Sequence, residues 1–345
     1  MAEPHPRSVE RGCGSAIHEV VMSSAQRRVS DAMWSYAKRV AVMIATLFSS
    51  SLVIFVALNI LPGSPAEVIL GTQSTPSAVR QLTVALGLNK PMWRLYIGWL
   101  GGLLHGDFGT SYISHLAIGG LIGQAMTVTG PLVLMALMMG LLIGLPLGFA
   151  GALRNGKLSG SVIGGVSQIG MAVPTVVAGL LLILILTVKV RLFPSSGFPG
   201  WSDPFQAIRA LLLPAFTLGV VEGAIFSRYV RASVLEQLRS DYLRTARSKG
   251  LTISQALRRH GLRNAAIPLI TVVALELSGL VVGAILVENV FELPGIGLLL
   301  LQSVNNRDLL TVQDITMLVA ALVLVINMLV DMSYRFIDPR LRMTP

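Results

Sequence analysis

Charge is scarce in this chain of 345 residues: 13% of it is charged, against roughly 25% in a soluble globular domain. So low a fraction cannot clothe a water-exposed surface, and it excludes both an ordinary soluble enzyme and a highly charged disordered chain. Cysteine is almost absent. The lone Cys13 excludes a disulfide framework within the chain and any cysteine-ligated metal cluster. Histidine numbers five, and all of them (His5, His18, His105, His115, His260) lie outside the long apolar runs. That argues strongly against an intramembrane hydrolase, which needs a nucleophile and its base at membrane depth.

What the chain has instead is apolar length. It is 53% hydrophobic with a mean hydropathy of +0.71, the composition of an integral membrane protein. A helix crossing the hydrocarbon core needs about 20 mostly apolar residues. Six runs qualify: 40–60, 126–150, 160–187, 209–227, 265–287 and 312–334. The first opens with Lys38 and Arg39 and is too long for a signal-peptide core. No small-residue cleavage site follows, since the chain reads Asn59-Ile60-Leu61-Pro62-Gly63, so this run is an uncleaved anchor. Arg27-Arg28 is followed by Val29-Ser30-Asp31 rather than an apolar core, which weakens any twin-arginine reading.

The net charge of +10 has a topological explanation, and no nucleic acid need be invoked. With the N-terminus inside, 20 basic residues fall in cytoplasmic segments and seven outside, the bias that orients membrane proteins. The expectation is an all-α membrane protein of six transmembrane helices with both termini cytoplasmic. Residues 1–32, polar and aperiodic, read as a disordered cytoplasmic tail; a natural-looking start at Met33 makes them a possible start-site extension. An anchor helix occupies 33–61 and an external segment 62–125. A five-helix core at 126–334 contains a cytoplasmic loop at 228–264, and 335–345 form a second tail. In the external segment Trp93, Tyr96 and Trp99 recur three apart. That spacing suits a helix lying at the membrane surface or one packed against helix ends.

Several motifs invite chemistry and fail it. Gly151-Ala-Leu-Arg-Asn-Gly156-Lys157 matches seven positions of a phosphate-binding loop, but Leu158 replaces the Ser or Thr that reaches Mg²⁺. The preceding strand is missing too, so any ATP is handled by another chain. His105, Asp107 and His115 lack a helical metal-ligand spacing. Gly140, Gly144 and Gly148 lie four apart on one helix face, a device that lets backbones approach closely in lipid. They serve helix packing, either within the chain or against a second subunit. Glu222 and Glu276 fall inside apolar runs, where a carboxylate is costly and usually faces a partner or a watery path. Glu276 is the stronger candidate for the pathway, because Glu222 is near enough to the cytoplasmic end to pair with Arg228.

The densest charge lies at 241–263, between apolar runs. Ser240-Asp241 offers an N-cap and Gly250 a left-handed C-cap, bounding a helix of about eight residues. Thr252-Ile-Ser-Gln255 has capping-box spacing and opens a further short helix towards Gly261. Helices this short need tertiary support. A docking element for a partner explains them better than topology does.

These residues carry a resemblance. Thr245-Ala-Arg-Ser-Lys-Gly-Leu251 followed by His260-Gly-Leu-Arg-Asn-Ala265 and Pro268 resembles the cytoplasmic loop of ABC-type importer permeases, in their dipeptide/oligopeptide/nickel branch. Arg244 and Thr245 replace the first two residues of the usual Glu-Ala-Ala, while Ala246 and Gly250 remain. Leu61-Pro-Gly-Ser-Pro-Ala66, Gly106-Asp-Phe-Gly-Thr-Ser-Tyr112, Glu288-Asn-Val-Phe291, Pro294-Gly-Ile-Gly297 and Asp338-Pro-Arg340 are similar to the first of that branch's two permease subunits. Glu276 departs from the neutral polar residue often found at its position.

The resemblance implies a type I ABC importer permease-like fold in a bacterial inner membrane. It implies a second homologous permease subunit, two cytoplasmic ABC ATPase subunits that hold ATP and Mg²⁺, and an extracytoplasmic substrate-binding protein. This chain would hold no cofactor and catalyse nothing. Asp241, Tyr242, Thr245, Ala246, Arg247, Lys249, Gly250 and Leu251 would meet an ATPase, and the cargo would be di- or oligopeptides, nickel or a metal chelate. A proton-coupled secondary transporter using Glu276 is the reading from another class. It calls for inverted repeats with matching broken helices, which the sequence does not show.

Overall fold

The computed structural model describes residues 34, 37–60, 65–71, 74–194 and 196–337. The tail expected at 1–32, and all but the start of that at 335–345, lie outside the described residues. Helices follow in chain order: α1 (Ala37–Ile60), α2 (Pro65–Leu70), α3 (Pro76–Ala85), α4 (Met92–Leu104), α5 (Ile118–Leu153), α6 (Leu158–Ala172) and α7 (Thr175–Leu182, widening into a π-type turn at Ile183–Lys189). After them come α8 (Pro204–Leu238), α9 (Asp241–Ser248), α10 (Ile253–Ala256), α11 (Leu262–Val290), α12 (Ile296–Asn305) and α13 (Leu309–Ile337). The chain divides within α1, and the unit from Ser51 onward holds every contact described below.

Five helices are long and apolar enough to cross a membrane unbroken: α1, α5, α8, α11 and α13. The run expected at 160–187 is instead a broken pair, α6 and α7, bent by 101°. Pro174 marks the break. Its ring disfavours helical geometry in the preceding residue, and Val173 is extended, with φ −78° and ψ 121°. α5 begins at Ile118, so residues 118–125, the last of the segment expected to be external, are already part of this helix. At 36 and 35 residues, α5 and α8 are about 54 and 53 Å long. They therefore project well beyond a core of about 30 Å.

α8 is the central post. Its most apolar window is 72% buried, against 11% for α1. Hydrophobicity does not draw helices together in lipid, so close packing must do it, and α5 meets α8 along a seam of glycines. A Cβ on Gly144 would lie 2.6 Å from the Phe226 Cβ and 2.7 Å from the Gly223 carbonyl oxygen. One on Gly148 would lie 2.6 Å from the Ser227 oxygen, and one on Gly140 2.9 Å from the Glu222 Cβ. Gly219 of α8 answers, with only 2.6 Å to the Met139 Cβ. The three glycines thus pack inside the subunit, which removes the intersubunit alternative.

Three apolar clusters succeed one another along α5. Ile118, Ile122 and Ala125 join Ile296 and Ile315 at one end. Val128, Leu132 and Ala136 meet Leu211, Leu218, Leu280 and Phe291 in the middle. Ala152 joins Val230, Val234, Leu243 and Leu257 at the end that carries the basic loop. Away from these contacts, Leu134, Met138 and Leu142 on α5 and Leu275, Val282 and Leu286 on α11 are exposed, as for surfaces facing lipid or another chain.

Candidate functional site

The basic loop folds as a small platform fixed to α8 and α11. α9 spans eight residues, and Gly250 just beyond it has φ +90°, the left-handed geometry expected of a glycine cap. Asp241 sits in the first turn, where a carboxylate favours the positive end of the helix dipole. Ser240 occupies the N-cap position without capping; its hydroxyl donates instead to the Gln237 carbonyl. The capping box forms, with the Gln255 amide N–H donating to Thr252 Oγ1 and the Thr252 N–H to Gln255 Oε1. The short helix it opens does not stop at Gly261, however. It widens into a π-type turn at Leu257–Gly261 and runs straight into α11, because the apolar residues of both segments share one buried cluster.

Periodicity decides which face of α9 is free. Leu243 and Ala246 are 1% and 7% exposed and pack on Val230, Val234 and Leu257. Of the residues expected at an ATPase, Ala246 is buried within the chain, and Leu251 is half-buried against the same cluster. Asp241, Tyr242, Thr245, Arg247, Lys249 and Gly250 are exposed, and so is Arg244, which the sequence reading left out of the contact set. Tyr242 also braces the platform: its hydroxyl donates to Gln237 Oε1 at 2.5 Å and accepts from Asn264 Nδ2 at 3.3 Å. Ser233 adds a buried bond from its hydroxyl to the Ala265 carbonyl, 3.0 Å. One platform thus bonds to the ends of two long helices.

Glu222 and Glu276 approach one another from α8 and α11 within electrostatic range. Glu222 is buried, and its Oε2 has no hydrogen-bond partner. Arg228 acts on Glu276 rather than serving Glu222 as expected. It is exposed, with its guanidinium 5.1 Å over the ring of Tyr229. The carboxylate pair and its distant cation lie between the platform and the middle of the core. Of the two histidines between α4 and α5, His105 Nδ1 bonds the Gly101 carbonyl of α4. No group of three metal-ligating side chains forms among the described residues.

The comparisons with known proteins bear on this arrangement. Residues 140–343 match the family described as binding-protein-dependent transport system inner membrane component, and residues 33–122 match its N-terminal companion. The chain belongs to this family of inner-membrane permeases. It is 32% identical over 330 residues to the dipeptide transport system permease protein DppB of Escherichia coli (strain K12), covering 88% of this chain and 97% of that protein. The oligopeptide transport system permease protein AppB of Bacillus subtilis (strain 168) is 34% identical over 308 residues, 88% and 98% of the respective chains. A chain of the MetNI methionine ABC transporter, solved in inward-facing conformations, shares the fold. Its TM-score is 0.54 at 20% identity, over 63% of this chain and 96% of that one.

The permease is held at its other end by a residue that the sequence reading quoted in a motif but gave no role. Glu288 is fully buried, accepting from the Thr129 hydroxyl and from the Gly297 N–H, each at 2.6 Å. Thr129 Oγ1 in turn accepts from the Ile296 N–H at 2.9 Å. Two of the free N–H groups that open α12 are thus satisfied by side chains from α11 and α5. Gly295 is needed because any Cβ there would collide with the Glu288 carboxylate. The available signal was a carboxylate near the end of an apolar helix, followed by Pro294-Gly-Ile-Gly297.

Asp308 plays a similar part before α13, accepting from Ser111 Oγ at 2.5 Å and Thr311 Oγ1 at 2.7 Å. Trp99 Nε1 donates to Asp314 Oδ1 at 2.7 Å, and Tyr96 and Trp99 both pack on Phe55. Of the two roles open to these aromatics, packing against helix ends holds for Tyr96 and Trp99, while Trp93 is exposed. Tyr112 nearby has its phenol pushed above the ordinary value of 10.0, by burial first and then by the charges of Asp308 and Asp314.

Proposed function

We propose that this permease forms half of the translocation pathway for di- or oligopeptides in an ATP-driven importer. A second homologous permease completes the pathway, two cytoplasmic ATPases drive it, and an external binding protein delivers the cargo. The names of the relatives, dipeptide and oligopeptide permeases, favour peptides over nickel. Both termini are placed in the cytoplasm, so the α9 platform faces the ATPases and α12 faces outside.

The observation that carries this reading is the platform. α9 buries Leu243 and Ala246 and presents Arg244, Arg247 and Lys249 to whatever lies beyond. Nucleotide binding can shift the permease only by stabilising one state over another, which requires contact through such an element. Glu276, with Glu222 behind it, lines the pathway and offers a carboxylate to a peptide's ammonium group or to a cationic side chain.

Gly250 provides the test. A Cβ there would touch nothing, yet φ +90° penalises any side chain. Gly250→Val costs about 1–2 kcal/mol in backbone strain and turns α9 away from its seat. Substrate-stimulated ATP hydrolysis and uptake should both fall in the reconstituted complex while the subunits still assemble. Unchanged stimulation and uptake would overturn the coupling role.

A further inference from the structure

A cavity of about 470 Å³ opens at the end of the molecule opposite the platform, a size usual for small-ligand sites. Its walls come from the end of α1, the turn between α3 and α4, and the start of α13. Phe55, Leu58, Leu95, Leu309 and Leu310 give it an apolar side. Lys90 and Arg94 stand at its rim, both exposed, and among the described residues lining it there is no Asp or Glu. Gln313 also lines it, 5% exposed, and its Nε2 has no hydrogen-bond partner. A buried amide donor left unsatisfied costs about 1–3 kcal/mol, so this one calls for an acceptor.

The required ligand chemistry follows from these groups: an anion for the two cations, an acceptor for the amide, and an apolar chain for the leucines. α1 and α13 are both membrane-spanning candidates, and α1 is largely bare, so the apolar wall continues into the surface that faces lipid. Tyr96 and Trp99 beside it are the residue types that gather at the bilayer interface. We propose that this cavity is a binding site for the phosphate headgroup and proximal acyl chain of an acidic phospholipid. Lys90 and Arg94 hold the phosphate, and Gln313 donates to an ester or headgroup oxygen. The inference needs only a membrane-embedded chain and is independent of the cargo.

The test uses the assembled transporter, stripped of lipid in detergent and titrated with phosphatidylglycerol or phosphatidylethanolamine of identical chains. Lipid copies are counted by native mass spectrometry. Brominated chains report proximity through the part of the fluorescence quenching that Trp99→Phe removes. Phosphatidylglycerol should bind in preference, and Lys90→Ala with Arg94→Ala should weaken that binding about tenfold or more, as two cations at a charged surface predict. Gln313→Leu, close in volume, should lower affinity several-fold without disturbing assembly. Equal binding of the two lipids, or unchanged phosphatidylglycerol binding in the double variant, would overturn the proposal. So would displacement by millimolar inorganic phosphate or by a dipeptide with no preference for lipid, because the site would then take free anions or cargo carboxylates.

Discussion

Replacing Glu288 separates two explanations for how the end of the permease opposite the platform is held. In Glu288→Ala the Thr129 hydroxyl can turn to the Ala125 carbonyl, which it already approaches at 3.3 Å, but the Gly297 N–H has nowhere to turn. That orphaned donor costs about 1–3 kcal/mol, and the cavity left by the lost side chain adds about 2 kcal/mol. Glu288→Gln differs. Its Oε1 can accept from Gly297, its Nε2 can donate to Thr129 Oγ1, and Thr129 can donate to Ala125. Both backbone N–H groups and the Thr129 hydroxyl keep partners and only the second Nε2 hydrogen goes without, so the expected loss is about 1 kcal/mol. Thermal inactivation of the assembled complex, followed by fluorescence-detected size exclusion, should fall by on the order of 10 °C for the alanine variant and by a degree or two for glutamine. Equal damage in both would refute the reasoning, since glutamine keeps an acceptor for the Gly297 N–H that alanine lacks.

Two more expectations rest on geometry. Gly144→Ala places a methyl group 2.6 Å from the Phe226 Cβ, forces α5 from α8, and should cost about 1–3 kcal/mol; Gly165→Ala, with nothing within 4 Å, is the matched control and should be neutral or stabilising. Equal stability of the two variants would show that the seam tolerates separation. Tyr112, whose folded phenol titrates above the unfolded value of 10.0, binds its proton more tightly when folded. Its contribution is complete below pH 10.0 and is lost as pH rises through the higher folded value. The melting temperature should therefore fall less between pH 9 and 11 in Tyr112→Phe than in the parent.

Much of the fold was legible because apolar length and glycine spacing are local properties. The eight-residue α9, its Gly250 cap and the Thr252–Gln255 box were readable for the same reason. Pro174 was visible inside a run, yet the 101° break depends on what receives α7, and no single segment states that. That Ala246 packs inward was not legible from its motif, which does not say which way a residue faces. The 3.6-residue period linking it to Leu243 was the cue. The partners of Glu288 and Asp308 lie 159 and 197 residues away, beyond the reach of any local pattern.

Under the proposed coupling to an ATPase, the continuous run of α10 through the π-type turn into α11 would work as a see-saw. The Ser233–Ala265 bond is its fulcrum, and Glu276 lies 11 residues along the beam, about 16 Å away. A tilt of about 10° at that fulcrum sweeps Glu276 sideways by about 3 Å, the width of one hydrogen bond. The α9 side would move the opposite way. Pro268, three residues past the fulcrum within α11, removes one rung of the ladder, so a stroke passed along the beam would lose part of its travel to flexing there.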